Sequence, residues 1–146
     1  MPSVQAVISR KGSQVLTITP QSSALEASVL MNKHKIGALV VVENGRVCGI
    51  FTERDVLQRI VADRQDPAKT FVASVMTRDI VTCRPETELD ESRTIFMARR
   101  IRHLPVLNEE GKLLGMISIG DVNAWDLNGQ ECKIAALEEY LYGQTI

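Results

Sequence analysis

"GIFTERD" occupies residues 49–55 and "GMISIGD" occupies residues 115–121. Each runs glycine, two apolar residues, a hydroxyl residue, two further residues and an aspartate. A hydroxyl followed three positions later by an acid is the signature of a helix start, in which each side chain satisfies a free backbone amide of the other. The same geometry suits an anionic ligand, because the open N–H groups and positive dipole end of a helix attract phosphate. On that second reading Thr52 and Ser118 add a hydroxyl donor. Asp55 and Asp121 then accept from the two hydroxyls of a ribose, a role acids also play in dinucleotide folds. Gly49 and Gly115 let the backbone pass close to a ligand or a neighbouring strand. Spacing alone does not choose between cap and site.

Working outward, the two phrases belong to two copies of one longer unit. Pro20 and Pro85 stand 65 residues apart, and Met31 and Met97 stand 66 apart, so one inserted residue is expected near the start of the second helix. Gly45 matches Gly111, Gly49 matches Gly115 and Asp55 matches Asp121. In each copy a β-branched stretch ("VLTIT", "IVTC") ends at a proline, as where proline closes a strand. Ser22 or Thr87 is placed to cap the following helix. Leu25, Val29 and Leu30 form its apolar face in the first copy, and Leu89, Ile95 and Phe96 in the second. "GALVVV" and "LPVLN" then lead into the turns "ENGR" and "EEGK", with Asn44-Gly45 a favoured hairpin pair. Strands "VCGIFT" and "LLGMIS" return, and further helices open at "ERDVLQRIVA" and "GDVNAWDL". Each unit therefore reads β-α-β-β-α, an α+β fold. One unit is too small to bury its own faces, so the two are expected to pack together through their sheets. "DRQDPAKTF" (63–71) reads as the linker, and "QECKIAALEEYLYG" as an amphipathic C-terminal helix within 128–146.

Composition narrows the function. The chain has 146 residues, 45% hydrophobic and 24% charged, with 17 basic and 18 acidic side chains for a net charge of -1. No bulk positive field exists to hold nucleic acid, and "ARRIRH" (98–103) is too short to supply one. No apolar run approaches the about 20 residues of a membrane-spanning helix. "MPSVQAVISRKG" lacks the apolar stretch of a secretory signal, so a cytoplasmic location is expected, or an organellar one if a targeting peptide has been removed. Cys48, Cys83 and Cys132 are few and scattered, which suits a reducing compartment. With His34 and His103 they form no zinc-ligand spacing.

The stretch "GALVVVENGRVCGIFTERD", followed by "RIRHLPVLNEEGKLLGMISIGD", resembles a tandem pair of CBS domains, also called a Bateman module. "VASVMTRDIVT" is similar to the segment that introduces the second domain of such pairs. The resemblance implies domains at 9–63 and 72–127, packed pseudo-symmetrically, with two clefts that bind adenosine-containing ligands: AMP, ADP or ATP, with NAD and S-adenosylmethionine as alternatives. It implies a first cleft in which Thr52, Arg54 and Asp55 are joined by Ile80, Val81, Thr82, Ile101 and Arg102. It implies a second in which Ser118, Gly120 and Asp121 are joined by Leu16, Thr17, Ile36, Gly37, Ala38 and His103. Arg102 and His103 resemble phosphate-reaching positions; Ile36 and Gly37 stand at their place in the first copy, so the Asp121 cleft is expected to take phosphate better, with the basic side chains able to serve either cleft. The family also suggests a homodimer, with Val61, Ile134 and Leu137 as contact residues, and an output delivered to another protein.

Neither catalytic groups nor a catalytic cofactor are expected. Ser118, His103 and Asp121 make a triad on paper, but the other copy carries Thr52 and Gly37 at the matching places, and no Walker loop or GxGxxG occurs. The expectation is a nucleotide-binding regulatory module. The competing reading is a ligand-independent dimerisation scaffold with vestigial clefts.

Overall fold

The computed structural model describes residues 2–129, so the expected C-terminal helix, with Ile134 and Leu137, lies outside the described residues. The first repeat holds β1 (Thr17–Ile18), α2 (Ala24–His34), β2 (Ala38–Glu43) and β3 (Arg46–Thr52), preceded by α1 (Val4–Lys11). It closes with one α turn, α3 (Glu53–Asp55), that widens into a π-helical segment, Val56–Val61. A short helix, α4 (Val72–Val75), introduces the second repeat: α5 (Leu89–Arg99), β4 (His103–Leu107), β5 (Leu113–Ser118) and α6 (Ile119–Gly129). The architecture is α+β. β1 runs parallel to β2, β2 and β3 are antiparallel, and β4 and β5 form their own antiparallel pair. The strand expected at "IVTC" is reduced to one bridge between Cys83 and Val106.

Matching hydrogen bonds expose the pseudo-symmetry. Ile36 N donates to Met31 O, and Ile101 N donates to Phe96 O. Ala38 pairs with Thr52, and His103 with Ser118. Met31 therefore corresponds to Phe96, not Met97, and the offset of 65 holds through the start of β4. The extra residue lies in the hairpin, not near the start of a helix: Glu43 pairs with Arg46 across Asn44-Gly45, while Leu107 pairs with Leu113 across a longer turn. Asn44 and Gly45 both adopt positive φ, 53° and 78°, as a tight hairpin turn demands. In the longer turn the Asn108 carboxamide accepts from Glu110 N and Lys112 N, replacing turn geometry with a side chain.

The helix caps also differ from expectation. Ser23, not Ser22, caps α2 by accepting from Glu26 N, while Ser22 meets Thr19 Oγ1. Thr87 does not cap α5; its Oγ1 accepts from Arg84 N. The buried face of α2 is Ala24, Ala27 and Met31, small enough to bring the helix close to the sheet, whereas Leu25 and Val29 are exposed.

Each repeat borrows its leading helix from the other's chain segment. Val72, Val75 and Met76 complete the core of the first repeat with Leu39, Val41, Phe51 and Ile60. Val4, Val7 and Ile8 complete that of the second with Leu89, Phe96, Leu104 and Ile117. The contacts are equivalent: Val72 N donates to Ser22 O and Ala73 N to Pro20 O, while Val4 N donates to Thr87 O and Gln5 N to Pro85 O. The linker is likewise structural, since Thr70 O and Pro67 O accept from the free amides of Ala24 and Leu25.

Those docked helices explain the two glycines of the repeated phrase. A methyl group at Gly49 would stand 2.7 Å from Met76 Sδ and 2.9 Å from Thr77 O; at Gly115 it would collide with Ile8 Cδ1. In each repeat the close neighbour is the docked helix or the residue that follows it.

Candidate ligand-binding cleft

Thr52 ends β3 in extended backbone and caps α3. Its Oγ1 accepts from Asp55 N at 3.3 Å, and Asp55 Oδ2 accepts from Thr52 N at 3.0 Å, a complete capping box. Asp55 is buried, at 4% exposure, and its carboxylate gathers more than the cap. Thr77 donates from its hydroxyl to Oδ1 at 3.1 Å, and Arg59 Nε lies 3.7 Å from the same oxygen. A carboxylate offers about four acceptor positions, so Oδ1 keeps capacity for one more donor from the cleft it lines.

That cleft has a volume of about 440 Å³ and lies between the repeats, inside the size range of small-molecule sites. Thr52, Arg54, Asp55, Ile80, Val81, Ile101 and Arg102 line it together. Thr82 is not among the lining residues. Gly37 and His103, expected on the Asp121 side, line the Asp55 cleft instead. The reason is positional: Gly37 O accepts from Glu53 N and Arg102 O accepts from Ile119 N, so the residues entering β2 and β4 sit against the two helix starts at the middle of the molecule. Gly37 and Ala38 thus occupy the places of Arg102 and His103, one residue along from the expected match.

The walls provide three kinds of chemistry. Ile50, Ile80, Val81, Ile101 and Pro105 give apolar surface; Arg54, Arg59 and Arg102 give guanidinium groups; Glu53, Asp55 and Asp79 give carboxylates. Two of the guanidiniums are already oriented, Arg54 by Arg100 O at 3.0 Å across the repeats and Arg59 by Met76 O at 2.9 Å. The helix amides contribute less than the bare motif promised. Asp55 N is taken by Thr52 and Glu53 N by Gly37, which leaves the arginines as the cationic groups lining the cleft. Burial pushes the His103 imidazole below its ordinary value, outweighing the opposite pull of Asp121 and Glu53, with Lys11 and Arg102 reinforcing burial.

Thr77, Arg59, Asp79, Glu53 and Gln58 were not singled out from sequence. Arg59 was detectable, since it lies four residues beyond Asp55 and so on the same helix face. Thr77 was not, because its contact crosses 22 residues.

On the Asp121 side the arrangement differs. Ser118 Oγ accepts from Asp121 N at 3.1 Å and Asp121 Oδ2 accepts from Ser118 N at 2.8 Å. Among the described residues no counterpart of Thr77 reaches the carboxylate; Lys11 Nζ does, at 2.6 Å. Ala38 is fully buried in pairing with Thr52, and Leu16 and Ile36 are partly buried against the first core. Thr17 is an exposed β1 residue paired with Val40, and Gly120 is exposed near Ser118 Oγ. Among the described residues no cluster of potential metal ligands occurs, and no helix is long and apolar enough to cross a membrane.

Comparison with known proteins gives the following. The CBS domain family matches the chain twice, over residues 4–62 and 72–127. The mitochondrial CBS domain-containing protein CBSX3 of Arabidopsis thaliana is 34% identical over 133 residues, which cover 88% of this chain and 64% of that protein. The chain thus spans less than two thirds of that relative. A putative signal-transduction protein with CBS domains from Burkholderia ambifaria superposes with a TM-score of 0.85 at 34% identity, covering 90% of this chain and 98% of that one. A hexameric CBS-CP12 protein from bloom-forming cyanobacteria superposes with a TM-score of 0.73 at 28% identity, covering 84% and 70%.

Proposed function

This chain belongs to the CBS-domain family, and on that premise we propose that it is a regulatory module that binds an adenine nucleotide at Asp55 and changes shape or partner affinity in response. The observation that carries the reading is the 440 Å³ cleft, in which a carboxylate, three arginines and an apolar wall converge. A nucleotide needs those three surfaces: a flat apolar slot for the base, an acceptor for the ribose diol and cations for phosphate. Oδ1 of Asp55 takes the ribose. Arg102, exposed and with a guanidinium that makes no hydrogen bond among the described residues, takes the phosphate with Arg54. The ligands in view are AMP, ADP and ATP, with NAD and S-adenosylmethionine as larger or differently charged alternatives.

A ligand shifts a conformational equilibrium only by its differential affinity for two states. The cleft suits that purpose because both repeats build it, so occupancy bears directly on their relative position. Self-association belongs to the same proposal. Leu57, Val61, Val29 and Phe71 are 62%, 63%, 58% and 60% exposed, which favours a second copy covering them in a homodimer. The module acts without catalysis, by altering the binding of another protein, in a reducing cytoplasmic or organellar compartment. The same exposed residues also favour a second reading, a ligand-independent scaffold, because Asp55 is already engaged in its own cap.

Calorimetric titration with AMP and ATP decides between them. The sensor reading expects saturable binding, weakened about tenfold or more by Arg102→Ala at unchanged melting temperature, a loss of about 1.4 kcal/mol. Absence of saturable binding to the wild-type chain, with NAD and S-adenosylmethionine titrated as well, favours the scaffold.

A further inference from the structure

We propose that Lys11 shuts the second cleft, so that the chain takes one nucleotide, at Asp55, and Asp121 holds the N-terminal helix in place of a ribose. The inference rests on the nucleotide reading above and deepens it by fixing stoichiometry and the means of closure.

The argument comes from where the two halves stop being alike. After the equivalent residues Met76 and Ile8 the chain behaves differently. α4 ends at Val75 and Met76 leaves it in extended backbone, so that Thr77 bridges to Ile50 and presents its hydroxyl to Asp55. α1 instead continues through Lys11, and Gly12 ends it at φ 101° with its N–H on Ile8 O. The extra turn carries two cations into the region corresponding to the Asp55 cleft. Lys11 Nζ donates to Asp121 Oδ2 at 2.6 Å and to Met116 O at 3.0 Å. The Arg10 guanidinium lies over the Trp125 ring, 4.0 Å from its centroid, a favourable cation–π position.

The consequences for a ligand are opposite at the two aspartates. At Asp55 the direct donor to Oδ1 is the neutral Thr77 hydroxyl, and the nearest cation, Arg59, stands at 3.7 Å, beyond hydrogen-bond distance, so that oxygen can accept a further donor. Lys11 compensates the charge of Asp121 from Oδ2, the oxygen that also accepts from Ser118 N, so a ribose diol that uses both carboxylate oxygens must displace an ammonium group. A half-exposed ion pair is weak by itself, but here it is one of three anchors on one helix, with Ile8 against Gly115 and Arg10 on Trp125.

The test is calorimetric titration of ATP and AMP into the full chain and its Lys11→Met variant, with Trp125, the single tryptophan, as fluorescent reporter of helix release. The latch expects one site in the wild-type chain, abolished by Asp55→Asn. It expects a second site in Lys11→Met, lost again on adding Asp121→Asn, with the second event shifting Trp125 emission. Lys11→Arg, which keeps the cation, stays at one site. A single site in Lys11→Met overturns the latch and leaves the nucleotide reading standing. So does a wild-type chain with two sites, one removed by Asp121→Asn. No saturable binding in either chain overturns the nucleotide reading, and this inference with it.

Discussion

His103 is the residue whose charge state most informs on the cleft. Burial lowers its pKa from 6.5, while Asp121 and Glu53 oppose and Lys11 and Arg102 assist. A group held neutral by the fold binds fewer protons folded than unfolded. Its contribution is therefore complete above about pH 6.5 and is lost as the pH falls below that value. Urea midpoints measured at about pH 7.5 and about pH 5.5 are expected to fall toward acid, and His103→Gln is expected to flatten part of that fall. An identical slope in the variant assigns the acid sensitivity elsewhere. Thr52 is a second residue with a separable role. Its hydroxyl completes the capping box of α3, so Thr52→Ala is expected to cost about 1 kcal/mol of stability whether or not a ligand binds. A denaturation curve unchanged from wild type would contradict that assignment.

At the scale of elements, the two glycines of the repeated phrase separate by experiment. Gly49→Ala drives a methyl into Thr77 O, a backbone atom held by the Ile50 bridge. Overpacking of this kind costs about 1–3 kcal/mol. Gly115→Ala meets the far end of the Ile8 side chain, which can rotate or be shortened. Thermal melting should show Gly49→Ala the more damaging, and Ile8→Ala should relieve Gly115→Ala in part; the reverse order would contradict the docked-helix account. This swap was present in the chain as "VQAVIS" beside "VASVMT", 68 residues apart, yet it was not legible as architecture. Local pattern says that two helices match, not which core each one enters. The hairpin strands and the Asn44-Gly45 turn were legible because short apolar runs and positive φ are local demands, whereas the "IVTC" strand shrank to one bridge. The face of α2 was misread for a physical reason: Leu25 and Val29 have core-like spacing, but the small Ala24 and Ala27 are what permit close packing. Within the cleft, the motif residues and the strand segments facing them were expected, whereas Thr77 and Arg59, the groups beside the Asp55 carboxylate, were not.

At the scale of the molecule, swapped helices and a shared cleft bind the repeats into one unit whose outer apolar residues remain to be covered. If a second copy covers them, Val61→Glu is expected to convert a dimer to a monomer in light scattering, since Val61 is 63% exposed and carries no core contact to lose. An unchanged mass would place the interface elsewhere. The account as a whole turns on the chemistry of one carboxylate edge, the part of Asp55 that its own cap leaves unoccupied. The most direct measurement is a crystal structure of the chain grown with saturating AMP or ATP. The account predicts the ribose hydroxyls within hydrogen-bond reach of Asp55, the base against Ile80 and Ile101, and phosphate toward Arg102. A nucleotide bound elsewhere, or an empty cleft at saturation, would contradict it.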